Sequence, residues 1–439
     1  MNWSDHRSTP GVIADDLTGA NATGVLLTRT GYPTASLTEL RWPEGDLDDY
    51  PCIVIATESR AVPAAEARRR VAAAADLLLA HGRRPFGKRI DSTLRGNIGP
   101  EVEAVLEALG PASVAVVTGA FPASGRTTRA GIHYVNGVPL AETAVRNDPL
   151  CPVTESHVPT LLRRQTGMPV AQLPLETIRA GARAVAGAIA DLALQGVRIL
   201  CADAETDGDI LALGQGMARS RLTCVAADPG PLTAAYIAAV MPAVAPAAPD
   251  AAVPAASVTG PTSAAQKRVL VVAGSVTPVT REQLDYLESE SGTRLVTVDA
   301  AALGQGGEPA EAEVERVVKQ LAASEADVPV VGVRTSTVLP ETDAAVAGRI
   351  SAGFAEIAAR ALEHLPGVTG LYTSGGDITV ATCRRLGAGA IQLQEEVLPL
   401  AVQGRLLGGK HHGLPIVTKG GLVGDATAAL SCIRHLLTL

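Results

Sequence analysis

Sixteen residues, Phe86–Glu101 (FGKRIDSTLRGNIGPE), gather more potential chemistry than any other stretch of the chain. Lys88 and Arg89 supply cations, Asp91 an acid, Ser92 and Thr93 hydroxyls, and Arg95 a further cation, ahead of a glycine-punctuated turn. Such a set suits a small carboxylate that carries several hydroxyls. Cations meet the acid, while Asp, Ser and Thr meet the polyol. After the turn, Ile98–Leu109 puts Val102, Val105, Leu106 and Leu109 on one stripe, which predicts an amphipathic helix. The turn should deliver Lys88, Asp91, Ser92, Thr93 and Arg95 to the N-terminus of that helix, where backbone N–H groups favour an anion. Taken alone, the stretch also reads as a solvated turn with a capping Asp or Ser.

Two further groups of residues carry chemistry. Asp15 and Asp16 end the first apolar run and precede Thr18-Gly19. Adjacent carboxylates at a sheet edge suit a sugar hydroxyl, Mg²⁺, or the role of base toward an alcohol, and one of them can cap the following helix. In the second half, Gly274-Ser275, Ser374-Gly375-Gly376-Asp377 and Lys419-Gly420-Gly421 each follow an apolar strand and precede a helix. Turns of this kind offer backbone N–H groups to phosphate oxygens, and three of them together favour a nucleotide phosphate site. Gly404–Lys410 (GRLLGGK) imitates a P-loop but puts His411 where Ser or Thr is required, with no helical pattern after it. His411 and His412 lack partners at metal-ligand spacing and read as a surface pair.

The elements that must position these residues alternate strand and helix. Strands are predicted at Gly11–Ala14, Cys52–Thr57, Ser113–Val117, Val170–Leu173, Ile199–Ala202 and Val225–Ala227, with helices between them. One helix is expected over Ile178–Leu194, and the glycine-rich Thr118–Gly137 reads as a hairpin excursion turning at Asn136-Gly137. From Met241 the composition turns to Ala, Pro and Ser (MPAVAPAAPDAAVPAAS), which excludes helix and central strand. Alternation then restarts, with strands at Val269–Ala273, Leu295–Val298, Val330–Val333, Gly370–Thr373, Ala390–Leu393 and Pro415–Val417, and a long helix from Glu341 to His364. The expected fold is α/β: two domains, each a largely parallel sheet flanked by helices, with an interdomain cleft. The expected boundaries are 1–240 for the first domain, 241–266 for an Ala/Pro-rich linker and 267–439 for the second domain.

Composition narrows the function class. At 439 residues the chain exceeds one core, and 47% hydrophobic against 19% charged content suits filled α/β cores and not a disordered chain. A formal net charge of −8 without a basic block argues against nucleic acid as a partner. No apolar run reaches membrane-spanning length, and the polar start MNWSDHRSTPG is unlike a signal peptide, so no membrane partner and a cytoplasmic location are expected. Six scattered cysteines without a CxxC pair read as core residues of a reducing compartment.

Several segments together resemble the four-carbon acid sugar kinases. They are Ile13–Asn21 (IADDLTGAN), Lys88–Glu101 (KRIDSTLRGNIGPE), Ala120–Thr143, Arg146–Ser156 (RNDPLCPVTES), Asp203–Asp209 (DAETDGD), Gly274–Thr280 (GSVTPVT), Ser374–Asp377 (SGGD) and Val417–Asp425 (VTKGGLVGD). The resemblance implies a two-domain kinase that moves the γ-phosphoryl group of ATP to the terminal C4 hydroxyl of a tetronate. It implies that Asp15, Arg60 and the segment Lys88, Arg89, Ile90, Asp91 and Ser92 contact the sugar acid. It likewise implies that Ser275, Ser374, Gly375, Gly376, Asp377 and Gly421 contact ATP. LTGAN and SGGD look closer to the threonate and erythronate kinases than to the 3-oxo-tetronate branch, where FTGAT and GGET are usual. One departure is Ala22, at a position where members of the family generally carry an acid.

The mechanism expected on this basis is alignment plus charge neutralisation. Lys88, Arg95 and Arg60 bind the tetronate carboxylate, and Asp15 or Asp16 receives the proton of the C4 hydroxyl. Glycine-turn amides and Mg²⁺ shield the triphosphate, and Lys419 approaches its β and γ oxygens. D-threonate or D-erythronate is the expected substrate, with 3-oxo-tetronate as the alternative, and a homodimer is the working expectation. A non-catalytic sugar-acid sensor is the second class, although three phosphate-suited turns are superfluous for it. A nucleotide-dependent oxidoreductase is the third, and DDLTGA in place of a G-x-G-x-x-G turn weighs against it.

Overall fold

The structure, a computed structural model, describes residues 9–45, 47–241, 267–290, 292–325, 327–336 and 343–439. The chain divides into two compact units, Met1–Ser36 with Asp48–Pro246, and Leu37–Leu47 with Ala247–Leu439. Leu37–Leu47, expected in the first domain, therefore groups with the second unit. The linker expected over 241–266 lies outside the described residues from position 242 onward.

The first unit begins with β1 (Thr9–Ala14), α1 (Leu17–Arg29), β2 (Thr34–Leu37), β3 (Cys52–Ala56), α2 (Ala64–Ala80), β4 (Arg83–Arg89), α3 (Ile98–Leu109) and β5 (Val114–Val117). A ribbon of β6 (Arg126–Arg129), β7 (Ile132–Val135) and β8 (Val138–Pro139) follows. The unit then continues through α4 (Val158–Gln165), β9 (Val170–Leu173), α5 (Leu175–Arg179), α6 (Ala182–Leu194), β10 (Ile199–Ala202), α7 (Asp207–Ser220), β11 (Cys224–Asp228) and α8 (Pro231–Val240). Its strands run β2-β3-β1-β4-β11-β5-β10-β9, and the pairings from β3 to β9 are parallel. The stripe read on α3 does face inward. Val102 and Leu106 pack with Ile98, Val117 and Ile199 in one buried cluster. The ribbon is antiparallel and turns through Asn136 and Gly137, both at positive φ, as an Asn-Gly hairpin requires.

Three local expectations are corrected here. Lys88 and Arg89 belong to strand β4 and not to the turn, because the run RRPFGKR is buried along its whole length with its charges paired internally. The helix expected over Ile178–Leu194 is two helices, broken at Gly181 with φ 95°. Thr34–Leu37, too short to register as a run, is a strand.

The second unit contains β12 (Arg268–Ala273), α9 (Pro278–Ser289), β13 (Thr293–Val298), α10 (Ala300–Gln305), α11 (Gly307–Ala322), β14 (Val330–Thr335) and α12 (Ala344–His364). It closes with β15 (Val368–Ser374), α13 (Gly376–Arg385), β16 (Ala390–Leu398), β17 (Ala401–Leu407), β18 (Pro415–Lys419) and α14 (Ala428–Thr438). The strand order is β13-β14-β12-β15-β18-β17-β16, parallel as far as β18 and antiparallel for the last two pairings. The sequence reading missed β17, which contains the Gly404 of the P-loop imitation. The long helix begins at Ala344, capped by Asp343, and positions 341 and 342 lie outside the described residues.

Candidate active site

In each unit the chain leaves the first strand toward one side of the sheet and later returns to the other side. In open α/β sheets, ligands bind at the carboxyl ends of strands where the order reverses in this way. The first unit reverses around β1, between β3 and β4. The loops after those three strands carry Asp15 and Asp16, then Glu58 and Arg60, then Asp91 to Arg95. Two of these loops hold non-glycine residues at positive φ, Glu58 at 48° and Leu94 at 57°. Such backbone costs about 1–2 kcal/mol for a residue with a Cβ, and it clusters at functional sites.

The side chains form one charged network. Asp15 accepts from Arg60 Nε at 2.7 Å and from Arg89 Nη1 at 2.8 Å. Asp16 Oδ1 accepts from the Gly19 N–H at 2.8 Å, capping α1, and from Arg89 Nη1 at 2.9 Å. Asp16 Oδ2 lies 2.7 Å from Arg60 Nη1. Arg95 binds Asp91 through Nε at 2.7 Å and Nη2 at 3.1 Å, and its Nη1 reaches Asp148 at 3.0 Å. Burial alone would raise the Asp15 carboxyl, but the charges of Arg60, Arg89 and Lys88 outweigh it and hold the group at about 2. Asp91 is likewise held well below the usual carboxylate range, because its bonds to Arg95 and the charges of Arg60 and Arg89 overcome its burial.

Not every residue expected at the ligand faces it. The Lys88 side chain is wholly buried, 2.7 Å from Glu101 Oε2, and donates to the Arg89 carbonyl. It acts on Asp15 through its charge and has no open path to a ligand. Ile90 packs in the core with Leu94 and Ile98, and its N–H is taken by the Asp228 carbonyl at 3.1 Å. Arg60, Arg89, Asp15 and Asp91 are brought together, with Asp16 and Arg95 beside them, and Ser92 and Thr93 are partly exposed on the same loop. A cavity of about 310 Å³ opens beside Arg60 and is bounded by Asn97, Cys151, Glu155 and Gln165. That is room for a small metabolite. Asn97 Nδ2 donates to the Ser59 and Val62 carbonyls, which ties the Arg60 loop to the start of α3.

Sequence reasoning assigned no role to several supporting residues. Asp148, from RNDPL, anchors Arg95. Asp203, from DAETDGD, accepts from the Ala130 and Gly131 N–H groups at 2.9 Å each and pins the ribbon. His133 on that ribbon is buried, with Nε2 2.9 Å from the Ser92 carbonyl and Nδ1 3.0 Å from Thr128 Oγ1. The carbonyl can only accept, so Nε2 carries the proton and Nδ1 accepts from the Thr128 hydroxyl. Burial, helped by the Arg126 charge, depresses the imidazole to about 4. Its folded value lies below the unfolded one, so the unfolded chain binds the extra proton between about pH 6.5 and 4, and stability is lost as pH falls through that window. The expected contribution is about 3 kcal/mol. Denaturant titrations at pH 7 and pH 4.5 should show a smaller acid loss in His133→Gln than in the parent protein, and equal losses would refute the assignment.

In the second unit the order reverses around β12, between β14 and β15. The glycine turns follow β12, β15 and β18, which are neighbours in the order β12-β15-β18, with Ala273 paired to Ser374 and Ser374 to Lys419. Thr280 Oγ1 donates to the Gly421 carbonyl at 2.8 Å, and the Gly375 N–H donates to the Lys419 carbonyl at 3.0 Å. A Cβ on Gly421 would stand 2.4 Å from Ser275 Oγ, whereas one on Gly376 would meet open space. Gly375, with φ 108°, opens α13 and frees the N–H groups of its first turn. Ser374 Oγ is buried beside the Tyr372 hydroxyl, and Asp377 is exposed at the start of α13. The Lys419 ammonium is buried, donating to the Gly420 and Val423 carbonyls, and burial lowers it to about 8. The turns thus form one backbone-lined cradle, chemically suited to an oligophosphate.

The charged switch point of one unit and the neighbouring glycine turns of the other belong to a two-domain α/β sugar kinase. Residues 10–236 match a sugar-binding N-terminal domain and residues 270–429 a nucleotide-binding C-terminal domain. The chain belongs to the four-carbon acid sugar kinase family. It is 44% identical to a D-erythronate kinase of Heliobacterium modesticaldum, over 97% of each chain. It is 32% identical to a D-threonate kinase of Salmonella typhimurium, over 95% of this chain and 96% of that one. A crystal structure of a Haemophilus influenzae protein, 23% identical, shares the fold at a TM-score of 0.71 and covers 98% of this chain and 99% of that one. No described helix is long and apolar enough to cross a membrane.

Proposed function

We propose that this chain transfers the γ-phosphoryl group of ATP to the C4 hydroxyl of a four-carbon sugar acid, with D-erythronate as its substrate. The observation that carries the reading is the Asp15–Arg60–Arg89–Asp91 network at the first switch point. It offers fixed carboxylates, and the guanidinium groups that hold them, to the hydroxyls of the substrate. The likeness to a D-erythronate kinase over nearly the whole chain favours that epimer, with D-threonate next and 3-oxo-tetronate third. Asp15, buried and held at about 2, is a weak proton acceptor, so its part is to orient the hydroxyl. Asp16, the more exposed of the pair, is the better placed to take the proton as the bond to phosphorus forms.

The residues of the second unit suit a nucleotide that brings its own metal. Mg²⁺ is ordinarily held by one or two carboxylates together with phosphate oxygens. Asp377 and Ser275 would supply the protein's part, and the ion would neutralise charge on the transferring group. The turn amides around Gly375 and Gly421 hold the phosphates in register. In a coupled ADP-release assay, D-erythronate should give the highest kcat/KM among D-erythronate, D-threonate, L-threonate and 3-oxo-tetronate. ADP release with none of them would overturn the reading.

Lys419 gives a second, independent check. A triphosphate beside its ammonium restores the proton that burial weakens, so ATP binding at pH 8.5 should take up roughly half a proton or more. Calorimetry in buffers of different ionisation enthalpy measures this uptake, and Lys419→Met should abolish it. Binding without uptake would place Lys419 away from the phosphates.

A further inference from the structure

An anionic substrate needs a cation that the protein has not already neutralised. In the network around β1, Arg60, Arg89, Arg95 and Lys88 face Asp15, Asp16, Asp91, Asp148 and Glu101, four positive charges against five negative ones. Each of those cations has a carboxylate within 3.0 Å. A tetronate would enter a site whose own balance is already negative, and Coulomb repulsion opposes that.

Arg126 is placed to change that balance. It opens strand β6, and among the described residues it has no acidic partner. Its hydrogen bond goes to the Ser124 carbonyl through Nη1, and its Nε is buried with no partner at all. Strand alternation puts Arg126 and Thr128 on one face of the ribbon, and pairing adds Val135 and His133 from β7 to the same face. That face looks onto the Asp91–Thr93 loop, because Thr128 binds His133 and His133 binds the Ser92 carbonyl. Arg126 is also near enough for its charge to help depress the His133 imidazole. A guanidinium with an unused N–H on a rigid ribbon is a fork waiting for a carboxylate.

We infer that Arg126 is the residue that binds the carboxylate of the sugar acid, reaching it over the Asp91–Thr93 loop from the β6–β7 ribbon. The fixed arginines of the β1 network then orient hydroxyls and carboxylates of the protein, and Arg126 supplies the selectivity for an acid over a neutral polyol. This rests on the reading of the substrate as a four-carbon sugar acid.

Titration calorimetry of D-erythronate into the full chain without nucleotide tests it. A charge-assisted bidentate contact predicts binding weakened on the order of 10- to 100-fold in Arg126→Met, with the KM for ATP unchanged. Arg126→Lys, which keeps the charge and loses the fork, should fall between, and it decides the matter if the methionine variant does not fold. Arg129→Met, on the outward face of the same ribbon, should bind as the parent does, since Arg129 is exposed and meets Glu205 and the Tyr134 ring. Binding by Arg126→Met within threefold of the parent, or by Arg126→Lys indistinguishable from the parent, would overturn the assignment of Arg126 alone. A parent protein that binds no D-erythronate would overturn the functional reading and this inference together.

Discussion

Replacing Arg60 with methionine should lower kcat/KM for the sugar acid on the order of 100- to 1,000-fold while leaving the KM for ATP within about threefold. Arg60 spans the first switch point, with Nε 2.7 Å from Asp15, Nη1 2.7 Å from Asp16 and Nη2 3.9 Å from Asp91. Without it, two adjacent carboxylates share Arg89 alone, and each can turn away from the acceptor hydroxyl. The Asp15 carboxyl also loses one of the charges that hold it at about 2, so the acid limb of the pH–rate profile should move to higher pH. Arg60→Lys should not rescue the rate, because one ammonium cannot occupy three carboxylate directions as a planar fork does. A methionine variant with near-parental kcat/KM would remove Arg60 from the site.

Glu101→Gln should be the most destabilising single change in the first unit, costing about 3–5 kcal/mol. It leaves the Lys88 ammonium, which has no solvent exposure, without its counter-charge at 2.7 Å. Denaturant unfolding followed by a probe in the first unit reads the loss directly. The double variant Lys88→Met with Glu101→Leu removes both charges and should recover much of the stability, because a buried pair contributes little beyond its hydrophobic replacement. Activity should not recover with it. Lys88 is one of the three charges that keep Asp15 ionised, so the stable double variant should remain impaired, with its acid limb shifted upward. Parental kinetics in that variant would reduce the Lys88–Glu101 pair to a packing element.

Much of the fold could be read from apolar runs, and the reason is physical. Strands such as Cys52–Ala56 and Val269–Ala273 are buried on both faces, so their sequences are continuously apolar. The same rule failed at β4, where Arg83, Arg84, Lys88 and Arg89 are all buried, donating to carbonyls, to Tyr236 or to carboxylates on other elements. A charge looks like a surface signal until its partner is known. Glu101 did leave a trace, since it stands four positions before Val105 on the inward stripe of α3, where an unpaired acid would not be tolerated. Asp15, Arg60, Asp91 and Arg95 came together as their motifs implied, and the three glycine turns converged because their strands are neighbours. Arg126, His133 and Asp148 had no such cue. Their roles depend on a ribbon and a loop folding back over the end of the sheet, which no local pattern encodes.

The central claim is that the phosphoryl group of ATP ends on the terminal carbon of a four-carbon acid. Phosphorus NMR of the product made from ATP and D-erythronate tests it most directly. The account predicts a phosphomonoester signal split into a triplet by the two C4 protons, whereas a doublet, indicating an ester at C2 or C3, or no ester at all, would contradict it.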